Sequence, residues 1–370
     1  GPFTGVPTLL KDMRAGATGM PTRNGSRFVP KVLADHDSTL VARYRAAGLI
    51  PFGKTNVPEF GILPTTESKL YGPAHNPWNL DHSTGGSSGG SACAVAAGIV
   101  PIAHATDGGG SIRIPAACCG LVGLKVSRGR ITQGPDFADS TSGLSVDNVV
   151  SKSVRDTAAA LDASCGLDFG DPYTAPPPEG SYLDGIKRKP KRLRIAVCYK
   201  ALNGKDLHPD SVAAVKKTAK LCESLGHIVE EKAPPLDPGV LTPAFMTLWA
   251  ANVAYALEGL ARVTGIPPST DVVEGLTFGL YEAGKHITAV EMMAAKQSMD
   301  RAARAMVQFH DTYDVWLNAT LGAPPIKLGV TNVDEQNPPL AGAPILDYVP
   351  YTAMQNATGQ PAIQLPLNTN

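Results

Sequence analysis

Short apolar runs, bounded by glycine, proline or asparagine, alternate along the chain with longer stretches of helical period. Leu40, Val41 and Tyr44 share one face of a helix over Thr39 to Ala47, which Asp37-Ser38 can cap. Ser87 to Gly98 predicts a helix of small residues, Val100 to Ala105 a buried strand, and Ser111 to Cys119 a short helix. Val154 to Gly166 reads as an amphipathic helix, Leu193 to Cys198 as a strand, Ser211 to Leu225 as a helix and His227 to Glu230 as a further strand. Long helical patterns follow over Pro243 to Val263 and Ala289 to Phe309, then a strand over Val315 to Asn318. Elsewhere Gly1 to Pro30 mixes strand and turns, and Ile50 to Phe52 is a short strand. Thr55 to Asp81 is irregular, and Arg128 to Ser140 is a loop. Strands alternating with helices predict an α/β fold with a mixed sheet.

Composition narrows the function classes. Apolar residues make up 43% of the 370, enough for a sizeable core. Lys plus Arg and Asp plus Glu number 33 each, so no charge excess points to nucleic acid or an anionic membrane. The short basic run Lys187 to Arg192 reads as solvated surface. No apolar run is expected to reach the length of a membrane span. The six cysteines are scattered without a C-x-x-C pair, so free thiols and a cytoplasmic location are expected. No metal-ligand spacing such as H-E-x-x-H occurs, and neither metal nor cofactor is expected. Three N-x-[ST] matches begin at Asn24, Asn318 and Asn356 and are read as chance.

The densest chemistry lies in Thr84-Gly85-Gly86-Ser87-Ser88-Gly89-Gly90-Ser91 and in Gly108-Gly109-Gly110-Ser111. The first cluster runs straight into Ala92 to Val100, which argues against a flexible linker. Two motif matches are set aside. Gly48 to Thr55 fits G-x-x-x-x-G-K-[ST], but a helical pattern precedes it and Pro58 disfavours a helix after Lys54. Gly85 to Gly89 fits G-x-S-x-G, but the polar, turn-rich segment before it is not the core strand a nucleophile elbow requires.

These clusters, with Thr106-Asp107 and Ser111-Ile112-Arg113-Ile114-Pro115-Ala116 around the second, then Gly120 to Lys125, resemble the amidase signature family. Gly5-Val6-Pro7 and Lys11-Asp12 are similar to that family's lysine segment. The resemblance covers nearly the whole chain and is densest from Pro2 to Arg130. It implies the amidase signature fold, a mixed twisted β-sheet core covered by helices on both faces, as a single domain over residues 1–370. It further implies helices before Gly1 and more sheet after Asn370. The implied activity is metal-independent amide hydrolysis through an acyl-enzyme. Ser111 would be the nucleophile, Ser87 the bridging serine, with Gly86–Ser87 cis, and Lys11 the base.

A serine hydroxyl needs a base to take its proton. A lysine in water titrates near ~10.4, so Lys11 must be desolvated, and lowering its pKa by ~3 units costs roughly 4 kcal/mol. Gly108, Gly109, Gly110 and Ser111 are expected to present N–H groups to the oxyanion, aided by a helix beginning near Ser111. Asp107 and Arg113 read as a structural ion pair; Ser88, Ser91 and Thr106 are expected to hold the loops by hydrogen bonds. By resemblance Gly61 contacts substrate through its backbone. The pocket wall is expected from Gln133 to Ser140 and from Phe245 to Tyr255, with Met246, Trp249 and Tyr255. These stretches carry no Arg or Lys cluster, so the expected substrate is a neutral, mostly apolar small-molecule amide, with carbamates and esters as side activities. The alternative is an amidotransferase subunit releasing ammonia for tRNA-linked amidation. Neither nucleic acid nor membrane is an expected partner, and a homodimer is left open.

Overall fold

The computed structural model describes the backbone of residues 1–368 and their side chains other than those of 340–344. The central sheet has six strands in the spatial order Ala362–Gln364, Val122–Lys125, Val146–Ser151, Ile102–Asp107, Val6–Lys11, Leu49–Thr55. Val6–Lys11 is parallel to both its neighbours, whereas Val146–Ser151 is antiparallel to both of its own. The sheet is therefore mixed, as the alternation of elements predicts. Ile102–Asp107 and Val146–Ser151 are buried at every position, as central strands covered on both faces must be. The pattern of residues did not announce Val146–Ser151, because Asp147 and Asn148 interrupt its apolar run. Both polar groups find partners: Asn148 Nδ2 donates to Leu124 O at 3.0 Å, and Asp147 meets His104 and Arg14.

Register then fixes what faces what. Leu9 pairs with Ala103 and Lys11 with Thr55, which brings the end of the first strand level with His104 to Thr106. The helix Gly89–Ala96 packs on these strands. A Cβ on Gly90 would come within 2.4 Å of the Asn56 nitrogen, so only glycine permits this approach. Leu49–Thr55 is an edge strand followed by a 3₁₀ turn, Glu59–Gly61, not by a helix starting at Lys54, and the phosphate-loop match has no structural counterpart. Ser87 follows the strand Asn79–Ser83, which pairs in a two-stranded hairpin with His75–Asn76 and lies outside the central sheet.

A second sheet of three parallel strands has Arg194–Val197 between Ile228–Glu231 and Val315–Leu317, and the helix Pro209–Ser224 packs beside it. The helices Pro238–Thr264, Gly275–Lys285 and Ala289–His310 pack together, burying Leu248, Val253, Leu257 and Leu280. Pro238–Thr264 corrects one expectation: at 27 residues it is long and apolar enough, by length and composition, to cross a membrane. Its buried face packs against its two helical neighbours. All six cysteines are free thiols. Asn356 is buried within the protein, so its motif presents no open acceptor site.

Candidate active site

Lys11 ends the first strand with its side chain fully buried. Its Nζ lies 2.7 Å from Ser87 Oγ and 2.8 Å from Thr106 Oγ1. Burial, and after it the Arg14 guanidinium, pushes the lysine well below its ordinary pKa, against the pull of Asp147 and Asp107. Ser87 follows a cis peptide bond with Gly86. A Cβ on Gly86 would sit 2.3 Å from the Thr65 carbonyl oxygen, which explains a glycine there. Ser88 and Ser91 pin the serine segment to the Ile102–Asp107 strand: Ser88 Oγ donates to Thr106 O at 3.2 Å and Ser91 Oγ to His104 O at 2.7 Å. Gly61 stands alongside. Its φ is 66°, and a Cβ would meet Ser87 Oγ at 3.1 Å and Met13 Cε at 2.6 Å.

Ser111 follows the three glycines and is 8% exposed. The helix after it begins at Arg113 and has seven residues, so Ser111 stands in the loop and not on the expected helix start. Asp107 anchors that loop. Its Oδ1 accepts the Gly110 N–H at 2.6 Å, and its Oδ2 accepts the Ile112 N–H at 3.3 Å and Arg113 Nε at 2.9 Å. Burial would raise the Asp107 carboxyl, but Arg113, joined by Lys125 and Asn356, outweighs it and holds the group at about 2. Asp107 thus engages the Gly110 amide expected to face substrate. The amides of Gly108, Gly109 and Ser111 have no hydrogen-bond partner among the described residues. No hydrogen bond links the Ser87 and Ser111 hydroxyls among the described residues.

The structure thus joins a buried lysine to a serine that follows a cis bond, and anchors the triple-glycine loop through Asp107. The sequence profile described as Amidase matches residues 1–370. The chain belongs to the amidase signature family. A putative amidase of Synechocystis sp. is 37% identical over 366 residues, which cover 99% of this chain and 69% of the relative. The 6-aminohexanoate-cyclic-dimer hydrolase of Paenarthrobacter ureafaciens is 35% identical over 381 residues, covering 99% and 77%. A solved structure of 6-aminohexanoate cyclic dimer hydrolase matches with a TM-score of 0.94 at 34% identity, covering 100% of this chain and 79% of that one. This chain is accordingly an amidase, a hydrolase of amide C–N bonds on small molecules.

The surroundings of the site in this amidase follow the sequence reading at Phe245 and Trp249 and depart from it at Tyr255 and at Gln133 to Ser140. Phe245 and Trp249, stacked at 5.2 Å between ring centroids, cover the glycine loop. A Cβ on Gly108 would lie 3.1 Å from Trp249, and one on Gly109 would lie 3.1 Å from Phe245. Tyr255, on the same helix, is 76% exposed and takes no part in this cover. Gln133 to Ser140 borders a cleft lined by Arg14, Gly134, Phe137 and Asp147, and that lining includes neither Ser87 nor Ser111. Three other contributors escaped the sequence reading. Thr106 meets the lysine amine, Thr352 Oγ1 donates to Gly109 O at 2.6 Å, and Asn356 Nδ2 donates to Asp107 O at 2.9 Å. Thr106 stood inside the motif and was assigned only a loop-holding role; Thr352 and Asn356 carry no local signal.

Proposed function

We propose that this amidase cleaves neutral, mostly apolar amides through an acyl-enzyme on Ser111, with Ser87 as proton relay and Lys11 as base. The observation that carries the reading is the fully buried Lys11 amine within 2.7 Å of Ser87 Oγ, shifted toward its neutral form. Ser111 Oγ attacks the amide carbonyl, its proton passes to Ser87 Oγ, and the Ser87 proton passes to Lys11 Nζ. The amides of Gly108, Gly109 and Ser111 are the donors left to receive the oxyanion, each worth roughly 3–4 kcal/mol in the transition state. Asp107 fixes the loop through Gly110. Collapse expels the amine, which takes the proton back along the same path. Water then attacks the acyl carbonyl and loses its proton to the relay, which returns it to Ser111 Oγ as the Ser111–acyl bond breaks and the acid leaves.

The aromatic cover of Phe245 and Trp249 over the glycine loop, and Met13 beside Gly61 and Ser87, support an apolar acyl or amine group in the substrate. The relative named for the cyclic dimer of 6-aminohexanoate supports the same class. Esters and carbamates fit the same acyl transfer. The alternative of ammonia release for tRNA-linked amidation draws no support from the relatives described above, which are named as amidases and hydrolases. A fluorophosphonate should label the protein on Ser111, and Ser111→Ala should abolish both labelling and turnover. Survival of either would remove Ser111 from its role. A panel of acyl anilides, 6-aminohexanoate cyclic dimer, an aryl carbamate, malonamate and glutamine should rank the apolar amides first.

A further inference from the structure

Beneath Lys11 lies a buried charged set that the proposed relay does not use. The Lys11 N–H donates to His104 Nδ1 at 3.2 Å, so Nδ1 is the unprotonated ring nitrogen. The ring hydrogen then sits on Nε2, which donates to Asp147 Oδ1 at 3.1 Å. Asp147 Oδ2 lies 3.5 Å from Arg14 Nη2, and Arg14 Nη1 donates to Ser140 Oγ at 2.6 Å. His104 is fully buried, and the Asp147 and Arg14 side chains are only 4% and 11% exposed. Arg14 holds φ at 54°, uncommon for a residue with a Cβ.

We propose that Arg14, Asp147 and His104 form a positioning and charge-balancing unit for Lys11: His104 fixes the lysine backbone, and the Arg14–Asp147 pair sets how readily the amine takes a proton. The inference rests on the reading of Lys11 as the base. A cation beside a buried lysine disfavours its ammonium form, and a carboxylate favours it. At Lys11 burial is the largest influence, Arg14 reinforces it, and Asp147 and Asp107 oppose it. Asp107 is already paired with Arg113. Burial also drives His104 toward its neutral form, against Asp147 and with help from Lys54 and Arg14. The two members of the Arg14–Asp147 pair therefore act on the base with opposite sign, so removing either charge alone should move its titration in opposite directions.

The test is the rate of fluorophosphonate labelling at Ser111 against pH, in the intact chain and in Arg14→Gln, Asp147→Asn, Arg14→Lys and Lys11→Ala, each checked by thermal unfolding. Asp147→Asn keeps an oxygen to accept the His104 Nε2–H, removes the charge, and turns an amide donor toward Arg14 and Gln133. Arg14→Gln should move the midpoint of the acid limb up by about one pH unit, a tenfold slower reaction at a fixed pH on that limb. Asp147→Asn should move it down, and Arg14→Lys should restore it. If Arg14→Gln fails to fold, the downward shift in Asp147→Asn carries the test, and an unmoved midpoint there overturns the proposal. Slower labelling in every variant with an unmoved midpoint, or shifts of the same sign, also overturns it. An acid limb that persists unchanged in Lys11→Ala would instead refute Lys11 as base, and this inference with it.

Discussion

Asp107 touches no group proposed to move a proton, yet the nucleophile loop depends on it. Its buried carboxylate receives the amides of Gly110 and Ile112 and the two-point contact of Arg113, while Asn356 donates to the same carboxylate and to its carbonyl. A buried carboxylate that loses its cation is costly, whereas an intact pair adds little net stability. Arg113→Met should therefore destabilise the protein by about 3–5 kcal/mol in urea unfolding, with a parallel loss of Ser111 labelling. A change below about 1 kcal/mol would mean that Gly110, Ile112 and Asn356 hold the carboxylate unaided. The ion pair itself was legible because Asp107 and Arg113 bracket the loop in sequence. Arg14 and Asp147 were not, since nothing local in either stretch marks a charge destined for the space behind a lysine.

Between elements, the packing of helix on helix separates two glycines that look alike in sequence. Gly259 lies within Pro238–Thr264 with open space where its Cβ would be, whereas a Cβ on Gly284 in Gly275–Lys285 would lie 2.2 Å from the Ala250 carbonyl oxygen. Gly259→Ala should stabilise the protein by about 0.5–1 kcal/mol, since alanine loses less backbone entropy in a helix. Gly284→Ala should destabilise by about 1–3 kcal/mol, because backbone must move to admit the methyl. Urea unfolding of the two variants reads both signs, and a stabilising Gly284→Ala would contradict the close helix contact. The long helices were legible from their 3.6-residue period. Gly275–Lys285 and Thr352–Thr358 were not: the first carries two further glycines inside it, and the second is about two turns of mixed residues held by buried polar contacts.

At the scale of the whole molecule, the buried lysines link global stability to pH. Lys125, its Nζ donating to Val126 O at 2.9 Å and Gln360 O at 2.8 Å, is brought down to about 7 by burial first and by Arg113 second. Unfolded, it titrates near ~10.4, so between these values the unfolded chain binds more protons than the native one. Stability from this group therefore rises with pH across that window, by up to roughly 1.4 kcal/mol per unit, and is lost as pH falls toward its native value. Urea unfolding from neutral pH upward should show this rise and should show less of it in Lys125→Met; an equal slope in both would contradict the shift. Lys11, also shifted down, adds to the slope in the same direction. The chain alone determines the glycine and serine clusters, the lysine segment and the strongly periodic elements, because turn chemistry, motif spacing and helical period act over a few neighbouring residues. It marks the stretch from Phe245 to Tyr255 as wall, but leaves undetermined which of its residues, and which other groups, close over those clusters. Phe245, Trp249, Thr352 and Asn356 reach the glycine loop from elements far along the chain, and Asp147 reaches His104 across paired strands. Such contacts are chosen by the register of the sheet and the packing of helices against it, where burial and hydrogen-bond satisfaction are shared among residues with no common local pattern.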